Sequence, residues 1–510
     1  MKIAILRERF AGENRVAATP ETVGKLIGLG ADVAVETGAG EGSRIPDAEF
    51  KAAGATLGAA DAVLKGADIV LTVRRPEAGL LKGVAKGALV IGGLDPYGNE
   101  ADIAALAQAG VTAVAMEFMP RITRAQSMDI LSSQANLAGY QAVVEAAAVF
   151  DRALPMMMTA AGTVRPAKVF VMGAGVAGLQ AIATAKRLGA VVSATDVRPA
   201  AKEQVASLGG KFIAVEDEEF KQAETAGGYA KQMSAEYQAK QAELTAQHIA
   251  KQDIVITTAL IPGRPAPRLI TRAMVESMAP GSVIVDLAAE RGGNVELTQP
   301  GEIAEHKGVK IIGFTNMQGR IPTTASQLYA RNLLTFIETL VDKKAKTLAI
   351  DWDDELVKAT VLTRDGAVVH PNFANVAVAP AEPAKAEPEA APAAKPAKTG
   401  AARKTGTAQK AAADDGAPVA KAPAKTGAAS KGKAASSGTK PAANARRRTA
   451  AKDEADVATP AMADTPKPVE PGAEQAAPEA ASKPARKATT KKPATRKPAA
   501  KKPAAPKGDE

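Results

Sequence analysis

Up to about residue 370, apolar residues follow two alternating rhythms. Short, almost uniformly apolar runs, KIAIL, ADVAVET, DIVLTV, ALVIGGL and VTAVAME, recur early in the chain, separated by polar or helical-period sequence. Runs without polar alternation read as strands buried on both faces, which means a parallel sheet covered by helices. After the first run, TPETVGKLIGLG carries Thr19 as N-cap, Pro20 at the first helical position and a closing glycine, the start and stop signals of a helix. The runs KVFVM, AVVSATD, DIVITTA, SVIVDLA and KIIGF repeat the alternation further on, with VAGLQAIATAKRLG as a helix after the first of them. Two longer helical periods, Asp129–Arg152 and Thr324–Lys344, connect the sets. The expected fold class is α/β, with two parallel-sheet domains joined by long helices and a cleft between them, near strand carboxyl ends, as the place for a ligand.

The rhythm stops near Ala374. Beyond Pro380 the only large apolar side chains are Val419, Val457, Met462 and Val469, in a background of Ala, Pro, Lys, Thr and Gly. Such a composition cannot bury enough surface to offset its ordering entropy, so residues 374–510 are expected to be a disordered basic tail. Charge changes the picture here. The net charge of +10 is misleading as a property of the whole chain, because residues 371–510 hold 26 Lys and Arg against 14 Asp and Glu. The sequence before them is nearly neutral. A basic tail of this kind suits an anionic surface or nucleic acid, or is solvated with no specific partner. Cysteine is absent, which excludes disulfides and thiolate metal sites. The longest uncharged run, residues 169–185, contains three glycines and falls short of the ~20 apolar residues of a membrane span. The start, KIAILRERF, has no signal-peptide core, and a soluble chain is expected.

Gly173-Ala-Gly175-Val-Ala-Gly178 follows the strand KVFVM and opens the next helix. In that context the glycines have separate physical tasks. Gly173 permits a tight turn, Gly175 lets backbone approach a pyrophosphate, and Gly178 allows close helix–strand packing, while the helix start offers unpaired N–H groups to the anion. Val176 and Ala177 are the first residues to meet it. Asp196, at the end of the next strand, would accept ribose hydroxyls and repel a 2′-phosphate, which favours NAD(H) over NADP(H); Arg198, two residues on, is the group a phosphate would meet. Residues 129–319 are therefore read as a Rossmann-like NAD(H)-binding domain, and 1–128 as an N-terminal domain completed by 320–372. The polar stretch 216–247 contains GGYAKQMS, where Gly228 and Tyr229 read as belonging to a mobile loop that closes on the dinucleotide.

One further stretch is dense in polar groups. RITRAQSMD places Arg121, Arg124, Gln126 and Asp129 just before a long helix, with neither His nor Cys beside them. Read by itself, it is a helix N-cap with a surface ion pair. It also resembles a family. IAILRER, ENRVAATPETV, RITRAQSMD, VMGAGVAGLQAI, SATDVR, GGYAKQMS, TALIPGRPAP and GFTNMQGRIPTTAS together look like the NAD(H)-binding alpha subunit (domain I) of proton-translocating NAD(P) transhydrogenase, over essentially all of residues 1–372.

The resemblance implies an enzyme that passes hydride from NADH to NADP⁺, coupled to proton movement. NADP(H) and the membrane channel would lie on partner subunits. It also implies a homodimer, located in the cytoplasm and peripheral to the inner membrane through those partners. Hydride exchange between two nicotinamides needs two rings held in register and no general base, so orienting groups suffice. Arg121 and Gln126 match positions around the nicotinamide, with Asp129 and Ser132 expected to hold them in place. Arg121, Ile122, Thr123 and Arg124, the run Val176–Ala177, the run Asp196, Val197 and Arg198, and Gly228 with Tyr229 match the other cofactor contacts. The alternative is the related alanine dehydrogenase, an NAD-dependent amino-acid dehydrogenase. Where those enzymes keep a catalytic His this chain reads DPYG, and their substrate-binding Lys is replaced by Arg74 or Arg75. The chain has only His248, His306 and His370.

Overall fold

The computed structural model describes residues 1–223, 233–261 and 263–378. Two parallel sheets organise them. The first has six strands in the order β3-β2-β1-β4-β5-β6, formed by Lys2–Ile5 (β1), Asp32–Glu36 (β2), Thr56–Gly58 (β3), Ile69–Arg74 (β4), Leu89–Gly93 (β5) and Thr112–Ala115 (β6). Every pairing in it is parallel. After a small antiparallel hairpin, Met157–Thr159 (β7) with Gly162–Val164 (β8), the second sheet is built from Lys168–Met172 (β9), Val191–Thr195 (β10), Lys211–Phe212 (β11), Ile254–Thr257 (β12), Val283–Asp286 (β13), Ile303–His306 (β14) and Val309–Ile312 (β15). Its order is β11-β10-β9-β12-β13-β15-β14, and only the edge pair β14–β15 is antiparallel. Both orders reverse direction beside their first strand, which places a crevice at the carboxyl ends of β1/β4 and of β9/β12. The expected fold class is borne out.

Both sheets are buried on two faces, as their uniform apolar runs require. Ile3, Ile5, Leu71 and Ile91 face a core shared with Val23 and Leu26 of helix Pro20–Gly28 and with Leu333, Phe336 and Ile337 of helix Pro322–Ile337. Each such fully buried side chain contributes about 1.5–3 kcal/mol. Tyr329 on the same helix inserts where the β4–β5 register shifts. Its hydroxyl donates to the Thr72 carbonyl at 2.9 Å and accepts from the Gly93 N–H at 2.9 Å, so it bridges a gap in the ladder. The Thr19 cap is present as expected, forming a reciprocal pair with Thr22.

The connecting helix, Ile130–Val149, packs Ala138, Ala142 and Ala146 against Ala181, Ile182 and Ala185 of helix Val176–Arg187. A Cβ on Gly139 would lie 2.0 Å from the Ala177 carbonyl oxygen, so only glycine permits this approach. Three boundaries differ from the sequence reading. The helix expected to run to Lys344 ends at Ile337, because Leu340 and Val341 turn back into the first core. The stretch 216–247, expected to be a loop, contains helices Glu218–Lys221 and Ala235–Ile249. Asp217 and Ser234 cap them, and a small cluster of Phe220, Met233 and Tyr237 fastens them down. Finally, the folded body passes Ala374, since Phe373 is 4% exposed and Val376 packs against the first sheet's second core. The remainder of the tail, with Gly228 and Tyr229, lies outside the described residues.

Candidate functional site

The glycine loop sits at the switch point of the second sheet. Gly173 has φ +103°, and a Cβ there would meet the Thr258 hydroxyl at 2.4 Å. The Thr258 hydroxyl donates to the Gly173 carbonyl at 3.1 Å and fixes the turn against the end of β12. A Cβ on Gly178 would lie 1.8 Å from the Gly173 carbonyl oxygen, the close packing that the third glycine of the motif serves. Gly175 differs from both. It is exposed, caps helix Val176–Arg187 with no side-chain bond, and would meet nothing within 4 Å. The open face of the loop is therefore backbone and helix N-terminus, with Val176 exposed and Ala177 half-buried beside it. That combination attracts anions.

Asp196 follows β10 and faces this loop. One oxygen accepts the Ala174 N–H at 2.7 Å and Arg198 Nη2 at 3.0 Å; the other accepts the Arg198 N–H and Nε, both at 2.9 Å. The carboxylate is thus held in place, with its four lone-pair directions occupied. A ribose hydroxyl can reach it only by displacing a donor, and the Arg198 guanidinium is the one that can swing on a side chain. The neighbouring Val197 is 48% exposed.

In the segment 121–132, Asp129 caps the connecting helix. Its carboxylate accepts the Ser132 N–H at 2.9 Å and the Ser132 hydroxyl at 2.6 Å. Asp129 and Ser132 thus hold each other, and Arg124 turns away to Asp354, at 2.9 Å, and to Glu355. The plain reading of RAQSMD as a cap with a surface ion pair describes these contacts. Arg121, Thr123 and Gln126 are exposed and Ile122 is half-buried. Gln126 has no hydrogen bond among the described residues. The segment and the glycine loop are linked through the connecting helix: Gly139 touches Ala177, and Asn136 donates to Gln180 at 3.3 Å. From Gly139 to Asp129 is roughly 15 Å of helix.

No histidine enters the crevices. His248 bonds Ser193 at 2.8 Å, with its pKa lowered by burial. His306 pairs with Glu276, and His370 stacks on Phe118. Two positioning residues went unnoticed in the sequence. Asp286, fully buried at the end of β13, accepts from Ala288 and Val295 N–H and from the Thr257 and Thr298 hydroxyls. Asn294 exchanges bonds with Ala259 and donates to the Pro267 carbonyl. Together they shape the two loops beside the glycine turn. The signal for them was the polar pair inside VDLAAERGGN, which spacing alone does not distinguish from surface sequence.

Residues 4–138 match the N-terminal domain model of alanine dehydrogenase/PNT and residues 142–371 match its C-terminal domain model. The chain is 58% identical over 380 residues to an NAD(P) transhydrogenase alpha subunit of Rhodospirillum rubrum, covering 73% of this chain and 98% of that protein. It belongs to the alanine dehydrogenase/PNT family. Within that family it lies nearer the transhydrogenase alpha subunits, since the alanine dehydrogenase of Halomonas elongata is 32% identical over 72% of this chain and 95% of that one. A crystal structure of transhydrogenase from Sinorhizobium meliloti superimposes with a TM-score of 0.67 at 64% identity, covering 72% of this chain and all of that one. The family resemblance drawn from RAQSMD and GGYAKQMS is borne out. The border between the two matched domains, residues 138–142, falls inside the connecting helix.

Proposed function

We propose that this chain is the NAD(H)-binding subunit of a proton-translocating transhydrogenase, handing hydride from NADH to NADP⁺ held on a partner subunit and so regenerating NADPH. The observation that carries the reading is the pair formed by an open glycine turn and the exposed polar segment 121–126, one helix apart. The pyrophosphate lies on the backbone of Gly175, Val176 and Ala177. Asp196 takes the adenosine ribose once Arg198 moves aside, and the dihydronicotinamide reaches Arg121 and Gln126. Asp129 and Ser132 act by fixing the helix start from which that segment leaves. Residues Ile122, Thr123 and Arg124 shape the approach, and Gly228 with Tyr229 complete the site.

Bound NADH supplies the hydride, and the protein supplies position. No group of this chain has to take up a proton at the reacting carbon, which agrees with a crevice free of histidine. Among the described residues no helix is long and apolar enough to cross a membrane, so proton movement belongs to a membrane-embedded partner and this chain is peripheral to it. A second copy is the suited partner for the hairpin β7–β8. It stands off the body with every strand residue exposed, and Met156 and Met158 are 60% and 78% exposed. The decisive experiment is a hydride-transfer assay with and without the purified NADP(H)-binding partner. Turnover should require both. Oxidation of alanine by this chain alone would overturn the reading.

A further inference from the structure

The first sheet has a switch-point crevice of its own, at the carboxyl ends of β1 and β4, and charged side chains fill it. Glu8 accepts the Val73 and Arg74 N–H groups at 2.6 and 3.1 Å, tying the two strand ends together. Beside it the Glu13 carboxylate, 1% exposed, is the meeting point of five donors. Arg15 supplies its N–H at 3.1 Å, Nε at 2.7 Å and Nη2 at 2.6 Å; Arg74 supplies Nε at 3.1 Å and Asn316 supplies Nδ2 at 3.1 Å. Two guanidiniums and an amide, from three separate segments, converge on one carboxylate in the forked geometry by which proteins take up free carboxylate ligands. A cavity of about 240 Å³, lined by Arg7, Glu8, Phe10, Glu13 and Arg15 among others, opens beside the pair. That is below the usual size of a cofactor pocket and suits a few heavy atoms.

We propose that this crevice is a small-carboxylate site which the chain occupies with its own Glu13. The internal ligand makes the site a latch between the halves. Asn316 comes from the loop after β15, and Arg74 continues to Glu290 at 3.0 Å after β13. Asp95 pairs with Arg291 alongside. An amino or oxo acid finds both arginines already engaged, so this crevice cannot serve as a substrate site while Glu13 is present. Burial by itself would raise the Glu13 pKa; the hydrogen bond and charge of Arg15, then the charge of Arg74, outweigh it and bring it down to about 2, so the internal ligand stays ionised.

The test needs no hydride transfer and is independent of the function proposed above. Glu13→Ala in the full chain is followed by thermal unfolding in sodium acetate against sodium chloride at matched ionic strength. In chloride the variant should melt several degrees below wild type, and acetate should recover at least half of that loss, while wild type melts alike in both salts. The recovery should vanish in the Glu13→Ala/Arg15→Gln double variant, which lacks the fork. If Glu13→Ala does not fold in chloride, recovery of soluble, NADH-binding chain in acetate alone is the same positive result. A variant that treats the two salts alike or folds in neither, or a wild type that acetate stabilises equally, overturns the proposal.

Discussion

For single residues, the site depends on which polar groups are already satisfied. Asp129 and Ser132 satisfy each other, whereas Gln126 is left with nothing to hold among the described residues. Arg121→Ala and Gln126→Ala should therefore slow hydride transfer by roughly tenfold to a hundredfold while changing NADH affinity much less, because orientation is lost more than binding. Single-turnover kinetics beside calorimetry separates the two, and a loss seen only in affinity would make these residues anchors. Glu8 gives a pH prediction. Burial pushes its carboxyl up to about 7, against the opposing N–H bonds of Val73 and Arg74. A raised carboxyl favours the folded state while protonated, so its stabilisation is complete below the unfolded value near 4.5 and is lost as pH rises through about 7. Glu8→Gln keeps an acceptor for both N–H groups and should flatten that fall by up to about 3 kcal/mol. Urea unfolding at pH 5 and pH 8 measures it, and an unchanged slope would remove Glu8 from the account.

Between elements, contacts are set by missing atoms as much as by packed ones. The connecting helix reaches helix Val176–Arg187 through Gly139, with the Ala177 carbonyl 2.0 Å from where a Cβ would be. Gly139→Ala must push apart the helix that carries segment 121–132 and the helix that starts at the glycine loop. We expect about 1–3 kcal/mol lost by overpacking, together with a drop in NADH affinity, because the two ends of the cofactor would no longer be in register. Equilibrium unfolding and calorimetry on the same variant check both. Full affinity with reduced stability would show that the spacing of the two helices is not what positions the cofactor.

For the whole molecule, the question is where the body ends. Phe373 and Val376 belong to the core, so a cut after Asn372 would remove folded sequence. Truncation after Val378 should leave a stable chain that binds NADH and reaches near wild-type transfer rates with saturating partner. If the tail recruits an anionic surface or nucleic acid, its removal should cost affinity at low salt and little at high salt, as counterion release requires. Co-sedimentation with anionic vesicles or binding to duplex DNA, in both salts, reads this. Loss of transfer in the truncated chain at excess partner would give the tail a role in the reaction itself.

Some of this architecture was written in local pattern. Uniform apolar runs showed that the sheets are parallel and doubly covered, because strand burial acts on consecutive residues. The Thr19 cap, the three glycines and Asp196 were legible for the same reason, since each works on neighbours within a turn or across one strand. Charge counting likewise separated the body from the basic sequence after it. Other features depend on partners far away in the chain. That Arg198 covers Asp196 is a two-residue contact, yet nothing in SATDVR says which way the guanidinium folds. Glu13 reads as one more charge in a polar start until Arg74 and Asn316 arrive from sixty and three hundred residues away. Helix Pro322–Ile337 stops where its apolar face runs out of core to cover, and that core is made by β1 and β4. Strand, helix and phosphate turn could be told apart along the chain because propensity and burial pattern act on neighbours. Which charges neutralise one another and which stay open to a ligand emerged with the folded chain alone, because pairing is a property of distance in space.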